Sequence, residues 1–250
     1  MISDYFIAIE ISDRFINGSR DRPRMKTFLV TGADRGIGES LCIELKERGE
    51  HVIAACLGDP PTLRSRKIQV EPGADVTSDA AIAALAERLR DQRLDVLVHN
   101  AGVVHGGELG RFDFAKLRHE YEVNALGPLR VTQAMLGLLG SGSKVAIITS
   151  RVGSLAENLA GGLYGYRMSK AAANMLGICL ARDLAKRGIA VVCLHPGSVR
   201  TEMTRGLVGG VVGDVVEPAD AARGLLARID ELTIETTGTF RHANGEMLPW

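Results

Sequence analysis

Tyr166 and Lys170 lie four residues apart in the run Tyr166-Arg167-Met168-Ser169-Lys170. A free phenol titrates near pH ~10 and gives up its proton poorly at neutral pH. An ammonium a few ångström away favours the phenolate and draws that value down. Residues i and i+4 of a helix share a face, so this spacing sets the ammonium beside the phenol. Met168, Ala171, Ala172, Met175, Leu176, Cys179 and Leu180 recur with a helical period, which predicts a helix through the pair. The pair can serve as a proton donor and acceptor. Taken alone, the spacing is common by chance and favours a buried tyrosine with a solvated lysine one turn on. Tyr164 lacks such a partner, because residue 168 is Met.

A second constellation lies upstream. The apolar run Phe28-Leu29-Val30 leads into Thr31-Gly32-Ala33-Asp34-Arg35-Gly36-Ile37-Gly38, and Leu41, Ile43 and Leu45 follow with helical spacing. Strand, glycine-rich turn and helix in that order form the setting of a phosphate-binding turn. Gly32 permits the tight turn, Gly36 lets backbone approach a phosphate, and Gly38 lets helix pack on strand. The helix N-terminus then offers unpaired N–H groups to a pyrophosphate. Ser150 follows Val145-Ala146-Ile147-Ile148-Thr149, so its hydroxyl sits where a strand empties and can steady charge on a substrate oxygen. Ser154 is the rival, and the strand-end position favours Ser150. Either could instead cap a helix or turn.

Together these motifs resemble the short-chain dehydrogenase/reductases. The resemblance is carried by Thr31 to Gly38, Asn100-Ala101-Gly102, Asn124, Ser150, Tyr166 with Lys170, and Pro196-Gly197 with Thr201. The stretch from Ser150 to Lys170 and the closing Gly245-Glu246-Met247-Leu248-Pro249-Trp250 are similar to the C-factor and sniffer-type carbonyl reductase branch. The resemblance implies hydride transfer between a nicotinamide and a carbonyl or alcohol carbon. Tyr166 would be the general acid and base, Lys170 its modulator and a grip on the nicotinamide ribose, and Ser150 the holder of the substrate oxygen. Asn124 would hold a water that relays protons from Lys170. Around the coenzyme it places Gly32, Asp34, Arg35, Gly36, Ile37, Gly38, Leu57, Asp75, Val76, Asn100, Ala101, Gly102, Pro196, Gly197, Val199 and Thr201, besides Tyr166 and Lys170. Asp75 could also be a plain turn acid. His99 stands where the family usually has Asn and is read as structural. His105 either lines the substrate cleft or lies on the surface.

An acid at the end of the second strand would select NAD, and a base there NADP. Cys56 or Leu57 occupies that position, and neither is acidic. Arg35, in the glycine turn, can reach a 2′-phosphate, so NADP(H) is expected over NAD(H). The base that C-factor relatives typically carry at position 57 is missing. A nucleotide-binding signalling or regulatory protein with little turnover is the competing reading. A hydrolase built on Ser150 is disfavoured, because the Gly-x-Ser-x-Gly elbow is absent there.

The remaining sequence must position these groups. Apolar runs at 27–31, 51–56, 67–70, 94–99, 144–150 and 189–195 alternate with helical patterns at 37–48, 78–92, 112–139 and 164–187. A shorter helix follows Glu217-Pro218. Near-continuous apolar strands alternating with helices predict one α/β, doubly wound Rossmann-type domain. Its sheet should be mostly or wholly parallel, with about seven strands. Ligands then sit at the strands' carboxyl ends, where every motif above falls.

The 30 basic and 30 acidic residues balance. That gives no reason to expect a nucleic acid or anionic membrane partner. No apolar stretch reaches the ~18 residues of a membrane span. Cys42, Cys56, Cys179 and Cys193 fall in apolar patterns and read as reduced core residues, consistent with a cytoplasmic protein. Neither the cysteines nor the six histidines have metal-ligand spacing, so no metal is expected. Residues 1–24 are expected to be a loosely attached extension and 25–250 the folded domain. The glycine-rich stretch 198–216 is expected to form a flap over a small-molecule carbonyl or alcohol. Val103, Val104, Leu155 and Leu159 give that cleft an apolar lining. The two long helices are compatible with a homodimer or homotetramer.

Overall fold

Residues 24–205 and 215–250 are described in the computed structural model. Of the extension, only Arg24 falls among them, 3.9 Å from Asp95. In chain order the first half runs β1 (Thr27–Thr31), α1 (Gly36–Glu47), β2 (His51–Ala55), α2 (Pro61–Ser65), β3 (Gln69–Glu71), α3 (Asp79–Arg88) and β4 (Leu94–His99). There follow α4 (Phe114–Tyr121), α5 (Gly127–Met135), β5 (Leu139–Ile148), α6 (Tyr164–Ala185) and β6 (Ala190–His195). The described chain closes with β7 (Ser198–Val199), α7 (Glu202–Arg205), β8 (Val215–Val216), α8 (Pro218–Glu231) and β9 (Thr239–His242).

Seven strands form one sheet in the order β3-β2-β1-β4-β5-β6-β9. Every pairing in it is parallel, from Thr27 opposite His51 to His195 opposite His242. The expected doubly wound fold is therefore the one observed. Alternate strand residues face opposite sides. Phe28 and Val30 enter a core with Leu41, Leu45, Leu225 and Ile229 from α1 and α8. Leu29 enters a second core with Ile82, Leu85, Val131 and Leu184 from the helices of the other face. Strands buried on both faces explain why the sequence shows continuous apolar runs. The order reverses between β1 and β4, so a crevice opens at their carboxyl ends.

The structure departs from expectation in several places, β5 among them, which begins at Leu139 rather than at residue 144. β3 begins two residues late, because Lys67 adopts a left-handed backbone (φ +57°) and Ile68 N–H closes onto Leu63 O at 3.2 Å. The single helix expected over 112–139 is α4 and α5 joined by one π-helical turn, Glu122–Leu126. β9 has no apolar run to announce it; only Phe240 and Ala243 around it are buried. The stretch expected as a flap pairs at both ends, Ser198 with Val215 and Val199 with Val216, and its residues 206–214 lie outside the described residues. Cys42, Cys56 and Cys193 are buried as expected, whereas Cys179 is exposed on the outer face of α6.

Candidate active site

The glycine turn is built by close backbone approach. Gly32 has φ +63°, and a Cβ there would lie 2.6 Å from Ala101 Cα. A Cβ on Gly38 would lie 2.3 Å from Gly32 O and 2.5 Å from Asn100 Nδ2. Only glycine fits at either place. Asn100 fastens the end of β4 to this turn: its Nδ2 donates to Thr31 O (3.1 Å) and Gly32 O (2.9 Å). Thr31 Oγ1 accepts the N–H groups of Asn100 (3.1 Å) and Ala101 (3.2 Å). Ile37 packs on the core of the α1 face. Arg35 precedes α1 in an extended conformation and makes no side-chain cap, so the first N–H groups of α1 remain available to an anion.

Four candidate catalytic side chains meet beyond this turn. Ser150 lies two residues past β5; its Oγ accepts Val152 N–H at 3.4 Å and it hydrogen-bonds Tyr166. The rival Ser154 is buried too, with its Oγ accepting Glu157 N–H at 3.2 Å. Lys170 is buried on α6, its Nζ donating to Ile148 O (2.9 Å) and standing 5.7 Å from the Tyr166 ring centroid. Asn124 is buried in the π-helical turn. Its Oδ1 accepts Val103 N–H (2.9 Å), and its Nδ2 donates to Val103 O (2.8 Å) and Ser169 Oγ (2.9 Å). Gly102 lies between these groups: a Cβ on it would come within 3.3 Å of Asn124 Oδ1 and 3.6 Å of Lys170 Nζ. A π-helical turn redirects backbone groups locally, and such turns frequently occur at functional sites.

The electrostatics differ from the sequence expectation. Burial pushes the Tyr166 phenol up to about 12; the bond to Ser150 opposes this and the Glu120 carboxylate adds to it. Lys170 does not bring the expected lowering: burial drops its own value to about 8, so it has lost its charge before the phenol titrates. His99, at the end of β4, is buried and neutral, held near 3 by desolvation, with Nε2 2.8 Å from Thr132 Oγ1. Its structural role is as expected.

The outer cofactor candidates are placed as follows. Leu57 presents its N–H rather than its exposed side chain, donating to Asp34 Oδ2 at 3.1 Å. Asp75 uses Oδ1 to accept both N–H (2.9 Å) and O–H (2.8 Å) of Thr77, the turn-acid alternative. Val76 is buried, and its carbonyl accepts Arg130 at 2.7 Å. Pro196-Gly197 leave β6 directly, with Gly197 at φ +88°. Val199 is buried. Thr201 lies over the glycine turn, its Cγ2 3.4 Å from where a Gly36 Cβ would be. The cradle of glycines, the uncapped α1 and the Lys170 ammonium beside Gly102 fit a nicotinamide dinucleotide.

Sequence reasoning missed two supports. Glu120 is 1% exposed; it accepts His105 N–H at 2.6 Å, and its other oxygen covers Gly165, next to Tyr166. No periodicity flags it, since it stands in a polar helical run. The chain's end braces the loop after Ser150: Arg151 pairs with Glu246, and Ala156 N–H donates to Trp250 O at 3.1 Å. Leu155 and Leu159, in the loop between Ser150 and α6, and Leu109, in the loop before α4, are exposed. His105 is half-buried, its ring 5.7 Å from that of His119.

Residues 26–209 match the family profile described as short chain dehydrogenase. The chain is 49% identical over 228 residues to 1-hydroxy-2-glutathionyl-2-methyl-3-butene dehydrogenase of Rhodococcus sp. (strain AD45), covering 90% of this chain and 100% of that one. It is 46% identical over 162 residues to C-signal of Myxococcus xanthus, covering 63% of this chain and 93% of that one. Among solved structures, NADPH-bound carbonyl reductase from chicken fatty liver superposes with TM-score 0.80 at 30% identity, covering 91% of this chain and all of that one. Among the described residues, no helix is long and apolar enough to cross a membrane. With the seven-stranded parallel sheet, the glycine turn and these relatives all in agreement, the chain belongs to the short-chain dehydrogenase/reductase family.

Proposed function

We propose that the protein is a carbonyl reductase or alcohol dehydrogenase acting on a small to medium-sized, largely apolar substrate. The observation that carries this is the meeting of Ser150, Tyr166 and Lys170 beside Gly102, at the carboxyl ends of β4 and β5. Tyr166 passes its phenolic proton to the carbonyl oxygen in reduction and takes it back in oxidation. Ser150 donates to the same oxygen and steadies its charge. Lys170, buried beside Gly102, is positioned to grip the nicotinamide ribose. Asn124 serves the proton path from Lys170 to solvent through its helical turn. When bound, the dinucleotide supplies or accepts the hydride.

NADP(H) is the favoured coenzyme. Arg35 in the glycine turn supports it, as does the NADPH of the chicken reductase. Arg35→Glu should then raise KM for NADPH far more than for NADH; equal effects would sink the preference. The exposed Leu109, Leu155 and Leu159 support an apolar cleft mouth. The Rhodococcus relative is named for an alcohol bearing a glutathionyl group, so such thioether alcohols belong in the test panel. Exposed Met168 and Met175 on α6 and Phe114 and Tyr121 on α4 favour a homodimer or homotetramer. The free cysteines favour a cytoplasmic setting.

The similarity to C-signal supports a second reading, an NAD(P)-binding signalling protein with little turnover. A single experiment separates the two. The protein is titrated with NADPH and NADH by nicotinamide fluorescence, then given aldehydes, ketones, quinones and thioether alcohols. Substrate-dependent oxidation or reduction, lost in Tyr166→Phe with coenzyme binding kept, supports the enzyme. Tight binding without turnover across the panel transfers the weight to signalling.

A further inference from the structure

The second strand ends without an acid of its own, yet the fold puts one there. Asp34, from the glycine turn, reaches across to the residues after β2 and accepts two backbone N–H groups, Leu57 to Oδ2 at 3.1 Å and Gly58 to Oδ1 at 2.8 Å. One oxygen serves each donor, so the carboxylate is fixed in position and orientation. Gly58 fits closely over it, since a Cβ there would lie 3.5 Å from Oδ1. This is the carboxyl end of β2, from which an acid in this kind of fold meets the adenosine ribose. A carboxylate has about four acceptor sites, so two backbone bonds leave room for a ribose hydroxyl.

The neighbouring cations each face an acid of their own. Arg35 faces Glu202 on α7, with Nε 3.4 Å from Oε2 and the side chains 78% and 71% exposed. Arg64, on α2 beyond the turn, pairs with Asp59. The fixed charge at the ribose end is therefore negative, while the positive charge of Arg35 is exposed and shared with Glu202.

We propose that Asp34 is the specificity-determining acid of the adenosine end: braced by the Leu57 and Gly58 amides, it accepts a ribose 2′-hydroxyl and repels a 2′-phosphate. This rests on the reading that a nicotinamide dinucleotide binds in the crevice. It makes any preference for NADP(H) narrow, because Asp34 opposes what Arg35 attracts, and it makes NAD(H) a usable coenzyme. The device differs from an acid carried on the strand itself: it is supplied from the phosphate-binding turn and aimed by backbone amides.

The test is a binding measurement. Dissociation constants for NADPH and NADH are taken from nicotinamide fluorescence for the unaltered protein, Asp34→Ser and Asp34→Asn. Displacement by 5′-AMP and by 2′,5′-ADP isolates the ribose end. Asp34→Ser should tighten NADPH about tenfold or more and leave NADH unchanged or weaker, with 2′,5′-ADP following NADPH. Asp34→Asn keeps the size and one acceptor but not the charge, so it should move the ratio the same way, and it serves if the Ser variant folds poorly. A ratio that moves less than threefold in both variants, with both coenzymes still bound, overturns the role of Asp34 alone. Failure of the unaltered protein to bind either coenzyme overturns this inference together with the crevice reading.

Discussion

Lys170 stores a measurable folding cost. It is 5% exposed, and its ammonium donates to Ile148 O at 2.9 Å. Burial lowers its pKa from 10.5 to about 8, with the Cys193 thiolate form opposing. That difference in proton affinity corresponds to roughly 3 kcal/mol of stability. Between pH ~8 and ~10.5 the unfolded lysine keeps a proton that the folded one has released, so stability rises with pH across this window. At pH 7 both forms are charged and the full cost is present. Lys170→Met removes the charge at nearly constant length and forfeits a hydrogen bond worth about 1 kcal/mol. At pH 7 the variant should therefore be the more stable by about 2 kcal/mol. By pH 9.5 the natural protein should have recovered about 2 kcal/mol against it. Tyr166 and Cys193, both pushed up to about 12, are present in both proteins, so their losses with rising pH largely cancel in the comparison. Guanidinium denaturation of the two proteins from pH 7 to 9.5 measures the difference. Parallel stability profiles would refute the claim that the buried ammonium is a net cost.

Three substitutions test the frame around it. Gly38→Ala drives a methyl to 2.3 Å from Gly32 O and 2.5 Å from Asn100 Nδ2; it should cost about 2–3 kcal/mol in thermal unfolding and weaken coenzyme binding at least tenfold. Thr31→Val strips the acceptor from two amides, Asn100 and Ala101, and should cost about 2 kcal/mol with a parallel loss of coenzyme affinity in fluorescence titration. Asn124→Ala releases Val103 and Ser169 together; a cost of about 2–4 kcal/mol by denaturation, and faster amide exchange at Val103, is the expected result.

How much of this was legible in the sequence depends on where the determining contacts lie. The glycine turn, the strands β1, β2, β4 and β6 and the Tyr166–Lys170 helix are encoded in local spacing, and each was readable. The turn at Glu122–Leu126 was not, because what shapes that segment is tertiary: Asn124 is hooked to Val103 and Ser169, far away in the chain. β9 offers four residues at a sheet edge with one inward aromatic, Phe240, too little pattern to read as a strand. The family resemblance sets Asp34 among the coenzyme residues, but its reach to the Leu57 and Gly58 amides appears only when the end of β2 is laid beside the glycine turn. The phenol's upward displacement was missed for a similar reason, since spacing gives a neighbour's charge but not the desolvation of both partners.

That displacement has a consequence for direction. A phenol held at about 12 is protonated at neutral pH, which suits a donor in carbonyl reduction and disfavours an acceptor in alcohol oxidation. The oxidation kcat should climb steadily with pH from 7 to 10, whereas reduction should stay flat over the same range. Glu120 gives a handle on this asymmetry. Its carboxylate adds to the upward displacement of Tyr166 while it holds His105 N–H at 2.6 Å and faces the His119 side. Glu120→Gln preserves an acceptor for that N–H but removes the charge. The oxidation profile should then move to lower pH, with the reduction rate at pH 7 little changed. A profile that stays in place in Glu120→Gln, with the fold intact by circular dichroism, would mean that Glu120 only braces the loop and that the phenol is set by burial and Ser150 alone.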